Sequence, residues 1–544
     1  MQRAYRQPTA AVSGAPGRTR SKHSSSSPAV NRATQSADWL WPRSGEPRPD
    51  TQPPRPRRIS AAGRSQSTFT ATSKRGRRGG SRPVSSMTSV VARSESSSSR
   101  KQDLRYEESS GGQAAPSPVV PQRGLSSLRP FHHRNFFLLW AGGMVSVIGS
   151  WMQTVAVGVL IVARTGSATW AVVIAAGGFL PIGLLSPVGG ALADRIPRRA
   201  ALVAGNLLAG AVALAIAILV AAGRDSPGIL TLLVTVQGSV SAMVGPFQQA
   251  ILPDLVPPSE FLAAVSLNSA QFNLGRIVGP ALAGVTIVAF GYPVAFVANA
   301  VSFLAVVVAL FFIRLSPPPG RDDQVGLLVS LRRGARAARA EPGCRNAIAM
   351  IAIVGLSASP FIALVPVMAH RLTHTGARGI ASATGLLTTA QGIGAVAGAL
   401  AIAPLAARFG RGRVLTGSLA VLPPVLFVYG LAPSLAFALT ALFVVGLVYM
   451  GVLSGLSTVV QLRAPVELRG RVLSLYQVAL GVSYPIGSLV QGPLADSFGL
   501  AWTTAGASVL LAIVLVTMRL VRPGVFRVLA APTPTEAQPA TAPP

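Results

Sequence analysis

The sequence predicts an all-α membrane protein: twelve transmembrane helices in two pseudo-symmetric six-helix bundles, preceded by a disordered tail. Three observations predict it. Hydrophobic residues make up 50% of the 544-residue chain and charged residues only 12%, too apolar a mixture for a soluble protein of this length. From about Phe136 onward, apolar runs recur at close to the ~20 residues that a bilayer-spanning helix needs. Finally, two segments of the first half match two of the second half at nearly one spacing.

Residues 1–121 are rich in Ser, Arg, Pro and Gly, with runs such as SSSS at 24–27 and SESSSSR at 94–100. Such a segment cannot bury enough apolar area to offset its ordering entropy, so a disordered basic tail is expected. It carries 21 Lys/Arg against 7 Asp/Glu and holds every lysine of the chain. Its charge would suit anionic lipid or nucleic acid, but a solvated tail requires neither. It has no apolar core of a secretory signal, and Met87 offers an alternative start.

The apolar runs fall at 137–161, 169–193, 200–222, 228–250, 264–288, 293–315, 346–369, 380–403, 414–432, 435–457, 472–495 and 500–520. The Gly and Pro within them, as at Pro423 and Pro424, are better tolerated in spanning helices than in soluble ones. Arginine bias orients them. With the N-terminus inside, cytoplasmic flanks and loops hold 22 of the 27 arginines after residue 121. The external loops hold Arg164, Arg224, Arg371 and Arg378, and Arg276 lies within a span. Both termini are therefore expected in the cytoplasm. The long connection 316–345 opens on three prolines. In it Leu327, Leu328 and Leu331 share a helical face flanked by Arg332, Arg336 and Arg339, the pattern of an interfacial amphipathic helix. The expected domains are thus a tail (1–121), an N-terminal bundle (130–315), a linker (316–345), a C-terminal bundle (346–525) and a disordered C-terminal tail (526–544).

The halves repeat. At an offset of 208, SLNSAQFNLGRIVGPALAG (266–284) lies over SLYQVALGVSYPIGSLVQG (474–492), matching Gly279 to Gly487 and Gly284 to Gly492. At an offset of 213, GGALADRIPRR (189–199) lies over its second copy near Arg408, Gly410 and Arg411. There Arg195 matches Arg408, Arg198 matches Arg411, and Asp194 becomes Ala407. Paired repeats of this kind place a binding site at the repeat interface near the bilayer midplane.

Several classes are excluded. One cysteine, Cys344, allows no intrachain disulfide. No metal-ligand cluster, nucleophile turn, carboxylate pair or phosphate loop is present, so no enzyme, metal or organic cofactor is expected. Polar groups inside spans need partners or a water-filled cavity, which makes them site candidates. Arg276 leads, because no Asp or Glu falls within any span. It either attracts an anionic or electron-rich group or is a charge held by carbonyls and hydroxyls near a glycine bend. With it the candidate cavity set is Gln153, Gln237, Gln271, Asn273, Gln391, Tyr449 and Tyr484.

The turn at Gly190, Asp194, Arg195, Arg198 and Arg199 resembles the loop 2–3 signature of the major facilitator superfamily, with Pro197 in place of the usual Gly. Residues 130–525 resemble a twelve-helix transporter of that superfamily. The enterobactin-exporter-like efflux branch is nearest, through IGSWMQTVAVGVLIVARTGSATW (148–170), FVANAVSFLAVVVAL (296–310) and LRAPVELRGRVLSLYQ (462–477). Gly275, Gly279, Pro280 and Gly284 resemble the glycine–proline motif of antiporters. The resemblance implies a monomeric transporter of the cytoplasmic membrane. It implies export of small amphipathic compounds (a drug, siderophore or secondary metabolite) by alternating access, with the proton gradient as energy source. A solute importer on the same fold is the alternative. The small molecule and the bilayer are the implied partners, with no specific nucleic acid. Relatives often carry an acid in the first helix where this chain has Ser150, so the resemblance leaves the proton carrier unassigned. It also implies a gating role for the Asp194 turn and a weaker one for its second copy.

Overall fold

The computed structural model describes residues 125–531 apart from Asp194, residues 314–326 and His374. The tail, the start of the linker, the end of the chain and Asp194 itself lie outside the described residues. So do the side chains of Leu327, Leu328 and Leu331.

In the first half, helices run over α1 (Arg134–Thr165), α2 (Ala168–Ala193), α3 (Arg198–Ala221), α4 (Pro227–Ile251), α5 (Phe261–Phe290) and α6 (Tyr292–Phe312). A short helix α7 (Leu327–Ala340) precedes α8 (Pro342–Ser357) and α9 (Val365–Leu372). Then come α10 (Gly376–Phe409), α11 (Arg411–Gly430), α12 (Leu435–Arg463), α13 (Arg469–Phe498), α14 (Leu500–Val521) and the terminal α15 (Pro523–Ala530). Eleven of these are long and apolar enough to cross a membrane. The seventh expected span, 346–369, is not one helix. It breaks after Ser357 into a 3-10 turn over Ser359–Ile362 and restarts as α9. Pro360 and Pro366 explain the break, since each lacks the N–H that would continue the ladder, and Pro366 sits in the first turn of α9, where that loss costs little. Residues with large apolar side chains such as Leu232, Val285, Phe290, Phe311, Trp502 and Leu520 face outward and exposed, as a lipid-facing surface requires.

The sequence repeat is visible as equivalent packing. In the first half α5 presses Gly279 onto α1, where an added methyl would lie 2.8 Å from the Ile148 carbonyl. In the second, Gly487 of α13 meets Leu356 of α8 in the same way. One helical turn and more further on, Gly284 of α5 faces Ala381 and Gly385 of α10, while Gly492 of α13 faces Ala168 and Thr169 of α2. Small residues thus let α5 and α13 each touch one helix of their own half and one of the other. The halves meet along α2–α13 and α5–α10. The α2–α3 and α10–α11 turns also correspond, since Arg198 and Arg411 both open the following helix.

Candidate functional site

Between the halves lies a cavity of about 1660 Å³. Its walls come from α1, α2, α4, α5, α12, α13 and the 3-10 turn at Ile362, and Leu192 of α2 and Arg195 of the α2–α3 turn lie with Arg471 of α13 at one end of it. The geometry of α2 and α13 sets which end is open. The two helices touch backbone to backbone where Gly183 meets Gly481, 2.9 Å from a methyl built on either glycine. On one side of this crossing both helices line the cavity, as Val188 to Leu192 against Ser474 to Leu480. On the other side Phe179 and Tyr484 still border the cavity, and beyond them the helices stay packed, Gly492 against Thr169 and Val172, as far as Asp496. That carboxylate of α13 accepts hydrogen bonds from Ser167 Oγ (2.7 Å), Ala168 N (2.6 Å) and Thr169 N (2.9 Å). It therefore caps the N-terminus of α2 from the opposite half of the chain, where two free N–H groups and the helix dipole favour an anion. The α5–α10 contact closes the same end, with Thr389 Oγ1 donating to the Ile277 carbonyl at 3.2 Å.

Arg276 lines this cavity. Close packing at Gly275 and Gly279 holds α5 against α1, so the guanidinium reaches the face of Trp151, 5.8 Å from its centroid. Its Nε is buried and has no hydrogen-bond partner. Around it stands an aromatic wall. Trp151 packs edge-on to Phe272 (5.6 Å) and Phe179 to Tyr484 (5.3 Å, perpendicular). Tyr449 hydroxyl shares a 2.7 Å hydrogen bond with Ser359 in the break of the seventh span, and Tyr476 donates to the Leu453 carbonyl at 2.9 Å. None of the six acids among the described residues lines the cavity; Asp225, Asp254, Glu260, Glu341, Glu467 and Asp496 stand at helix ends.

A side pocket of about 210 Å³ continues from the cavity, sharing Trp151, Phe179 and Tyr484 with it. Gln153 and Gln237 line this pocket. Of the eight expected cavity residues, five therefore lie on one of the two spaces: Arg276, Tyr449, Tyr484, Gln153 and Gln237. Three do not. Gln271 donates to the Trp140 carbonyl (2.6 Å) and ties α5 to α1. Asn273 donates back to Ser269 in its own helix (2.8 Å). Gln391 is buried where α10 packs on α12, its backbone against Gly446. Each sits in a span, but helix rotation turns it away from the cavity. Trp151, Phe179 and Phe272 were missed, because a search for polar groups in apolar spans passes over aromatic residues, which equally suit a lipid face.

In the α2–α3 turn, Arg198 Nη1 donates to Asp254 at 2.6 Å, and Arg199 donates to the Phe311 carbonyl at 3.3 Å while stacking on the Phe311 ring. Arg195 lines the cavity mouth, and Gly190 lines it with nothing within 4 Å of an added methyl. In the second copy Arg408 stacks on Phe409, and Gly410 takes a left-handed φ of 85° between α10 and α11. That φ strains any residue with a β-carbon. Cys344 is fully buried, its backbone N–H bound by Glu341 at 2.7 Å.

The family model described as "Transmembrane secretion effector" matches residues 125–534. The "Multidrug efflux pump Tap" of Mycolicibacterium fortuitum is 26% identical over 67% of this chain and 90% of its own length. "Macrolide efflux protein A" of Streptococcus pyogenes is 24% identical over 70% of this chain and 94% of its own. The solved structure of a bacterial homologue of the human lysosomal transporter Spinster, inward-facing and occupied, superposes with a TM-score of 0.57 at 15% identity. That superposition covers 76% of this chain and 99% of the other, and it carries the fold. The chain therefore belongs to the transmembrane secretion effector family of the major facilitator superfamily, and it is a multi-pass membrane transporter.

Proposed function

We propose that the protein exports small amphipathic compounds bearing an anionic or electron-rich group across the cytoplasmic membrane, by alternating access and at the expense of the proton gradient. The observation that carries this reading is the Arg276 guanidinium, with its unpartnered Nε, inside a cavity walled by Trp151, Phe272, Tyr449 and Tyr484. The arginine bias makes the open end, at Arg195 and Arg471, the cytoplasmic one, so a compound enters from the cytoplasm or the inner leaflet. The Asp496 cap then closes the external end in this state. Two relatives named as efflux proteins support the outward direction. Proton coupling rests on the superfamily resemblance.

A susceptibility panel tests the function. In a bacterial host stripped of its own pumps, expression is expected to raise the inhibitory concentration of acidic and electron-rich aromatic compounds more than that of aliphatic cations of similar size. Equal protection against both classes, or none, would contradict an arginine-centred efflux site.

A further inference from the structure

We propose that the side pocket is a second subsite of the transport cavity, built to take an uncharged amide or hydroxyl group at the far end of the compound from the one that faces Arg276. The inference rests on the reading of the central cavity as the compound-binding site and deepens it.

Gln153 of the pocket wall is hydrogen-bonded to a buried pair, Asn299 and Ser302. Ser302 Oγ donates to the Asn299 backbone carbonyl (2.7 Å) and lies 3.1 Å from Asn299 Oδ1, and Asn299 Nδ2 donates to Gln153 Oε1 (2.7 Å). Asn299 and Ser302 are buried, at 1% and 5% exposure. With Gln153 Oε1 taken by Asn299, its Nε2, which carries two N–H donors, has no protein partner among the described residues. Gln237 also lines the pocket, and its Oε1 is buried with no hydrogen-bond partner among the described residues. Thr384, 1% exposed, also lines the pocket with an unpartnered hydroxyl. Buried polar atoms are rarely left unpaired, because each costs about 1–3 kcal/mol. The two side-chain amides and the hydroxyl offer uncharged donors and acceptors together, which an amide matches through its own C=O and N–H. A hydroxyl does the same with one atom.

Charge narrows the class further. Among the described residues no Asp, Glu, Lys or Arg lines the pocket, so an ammonium or a carboxylate would enter low dielectric with no counter-charge. At about 210 Å³, the volume of roughly seven water molecules, it holds a small polar head and not the whole compound. Six residues border both spaces, three of them aromatic, the others being Ile182, Ile362 and Ser241. Trp151, Phe179 and Tyr484 border both, so a flat apolar middle section fits between the anion-attracting end and the neutral end.

Two probes separate the claims: 2-naphthoate, and 6-carbamoyl-2-naphthoate, which adds one amide to the end opposite the acid. Their affinities for the purified full-length protein are read by quenching of intrinsic tryptophan fluorescence. Wild type is expected to prefer the carbamoyl acid by about tenfold, the factor that one to two net hydrogen bonds give. In Gln237→Leu and Gln237→Met that ratio is expected to collapse to about one, with an unaltered size-exclusion profile in detergent. Equal affinity of wild type for the two acids, or a preference that survives both substitutions, overturns the subsite while leaving the Arg276 cavity standing. Failure of wild type to bind either acid overturns the arginine-centred reading and the subsite with it.

Discussion

Replacing Arg276 by Gln is expected to cut transport of anionic compounds about tenfold to a hundredfold without lowering the amount of folded protein in the membrane. A mid-span guanidinium costs about 2.5–3.5 kcal/mol on insertion scales, so Arg276→Gln should insert at least as readily as wild type. The protein offsets that cost only in part. The Trp151 face contributes about 0.5–2 kcal/mol by cation–π attraction, no described acid stands on the cavity wall, and Nε bonds to nothing. A negative group on the compound completes the set. Losing a charged hydrogen bond of about 1.5–3 kcal/mol should cut transport about tenfold to a hundredfold. Arg276→Lys should keep a fraction of the rate, since the charge survives while the planar fork and its stacking on Trp151 are lost. The check is initial transport rate divided by the folded fraction from detergent size-exclusion chromatography. A normal normalised rate in Arg276→Gln would remove Arg276 from the site and leave it a structural cation.

Asp496→Ala is expected to loosen the external end of the transporter. Three hydrogen bonds from Ser167, Ala168 and Thr169 converge on this one carboxylate, and they join α13 to α2 across the two halves. Their removal also deprives the α2 N-terminus of its capping anion. A coupling of about 1–3 kcal/mol shifts a two-state equilibrium 5- to 150-fold, here toward the outward-open state. Ile174, buried on α2 in the side pocket, is a suitable reporter once Cys344 is replaced by Ala. An impermeant maleimide added outside intact cells should label Ile174→Cys roughly tenfold faster with Asp496→Ala than without it. Asp496→Asn should fall between, because it keeps an acceptor but not the charge. An unchanged labelling rate would mean that Asp496 caps a helix and holds no gate. Cys344 itself cannot serve as an orientation probe in the folded state, since it is fully buried.

Much of the fold was legible because its causes are written locally. Span length, arginine bias and the Gly279/Gly487 and Gly284/Gly492 pairs each express a constraint of bilayer thickness or helix contact. The repeat at 266–284 and 474–492 falls on α5 and α13, the two helices that each pack against one neighbour in either half. The break at Ser357–Val365 was not legible, since Pro360 and Pro366 resemble the tolerated prolines of continuous helices such as Pro423 and Pro424 in α11. The site was half legible. A charge in an apolar run identifies Arg276, but whether Gln271, Asn273 and Gln391 face a cavity or a neighbouring helix depends on rotation about axes that the sequence leaves open. Trp151 and Phe179 carry no local sign, because only tertiary packing separates an aromatic wall from a lipid-facing ring.

The most direct test of the central claim, arginine-centred export, is the movement of an anionic aromatic dye in membrane vesicles of known sidedness. With a proton gradient imposed, inverted vesicles containing the wild-type protein should accumulate the dye, and those containing Arg276→Gln at equal folded amount should not. Accumulation confined to right-side-out vesicles, or equal accumulation by the two proteins, would contradict it.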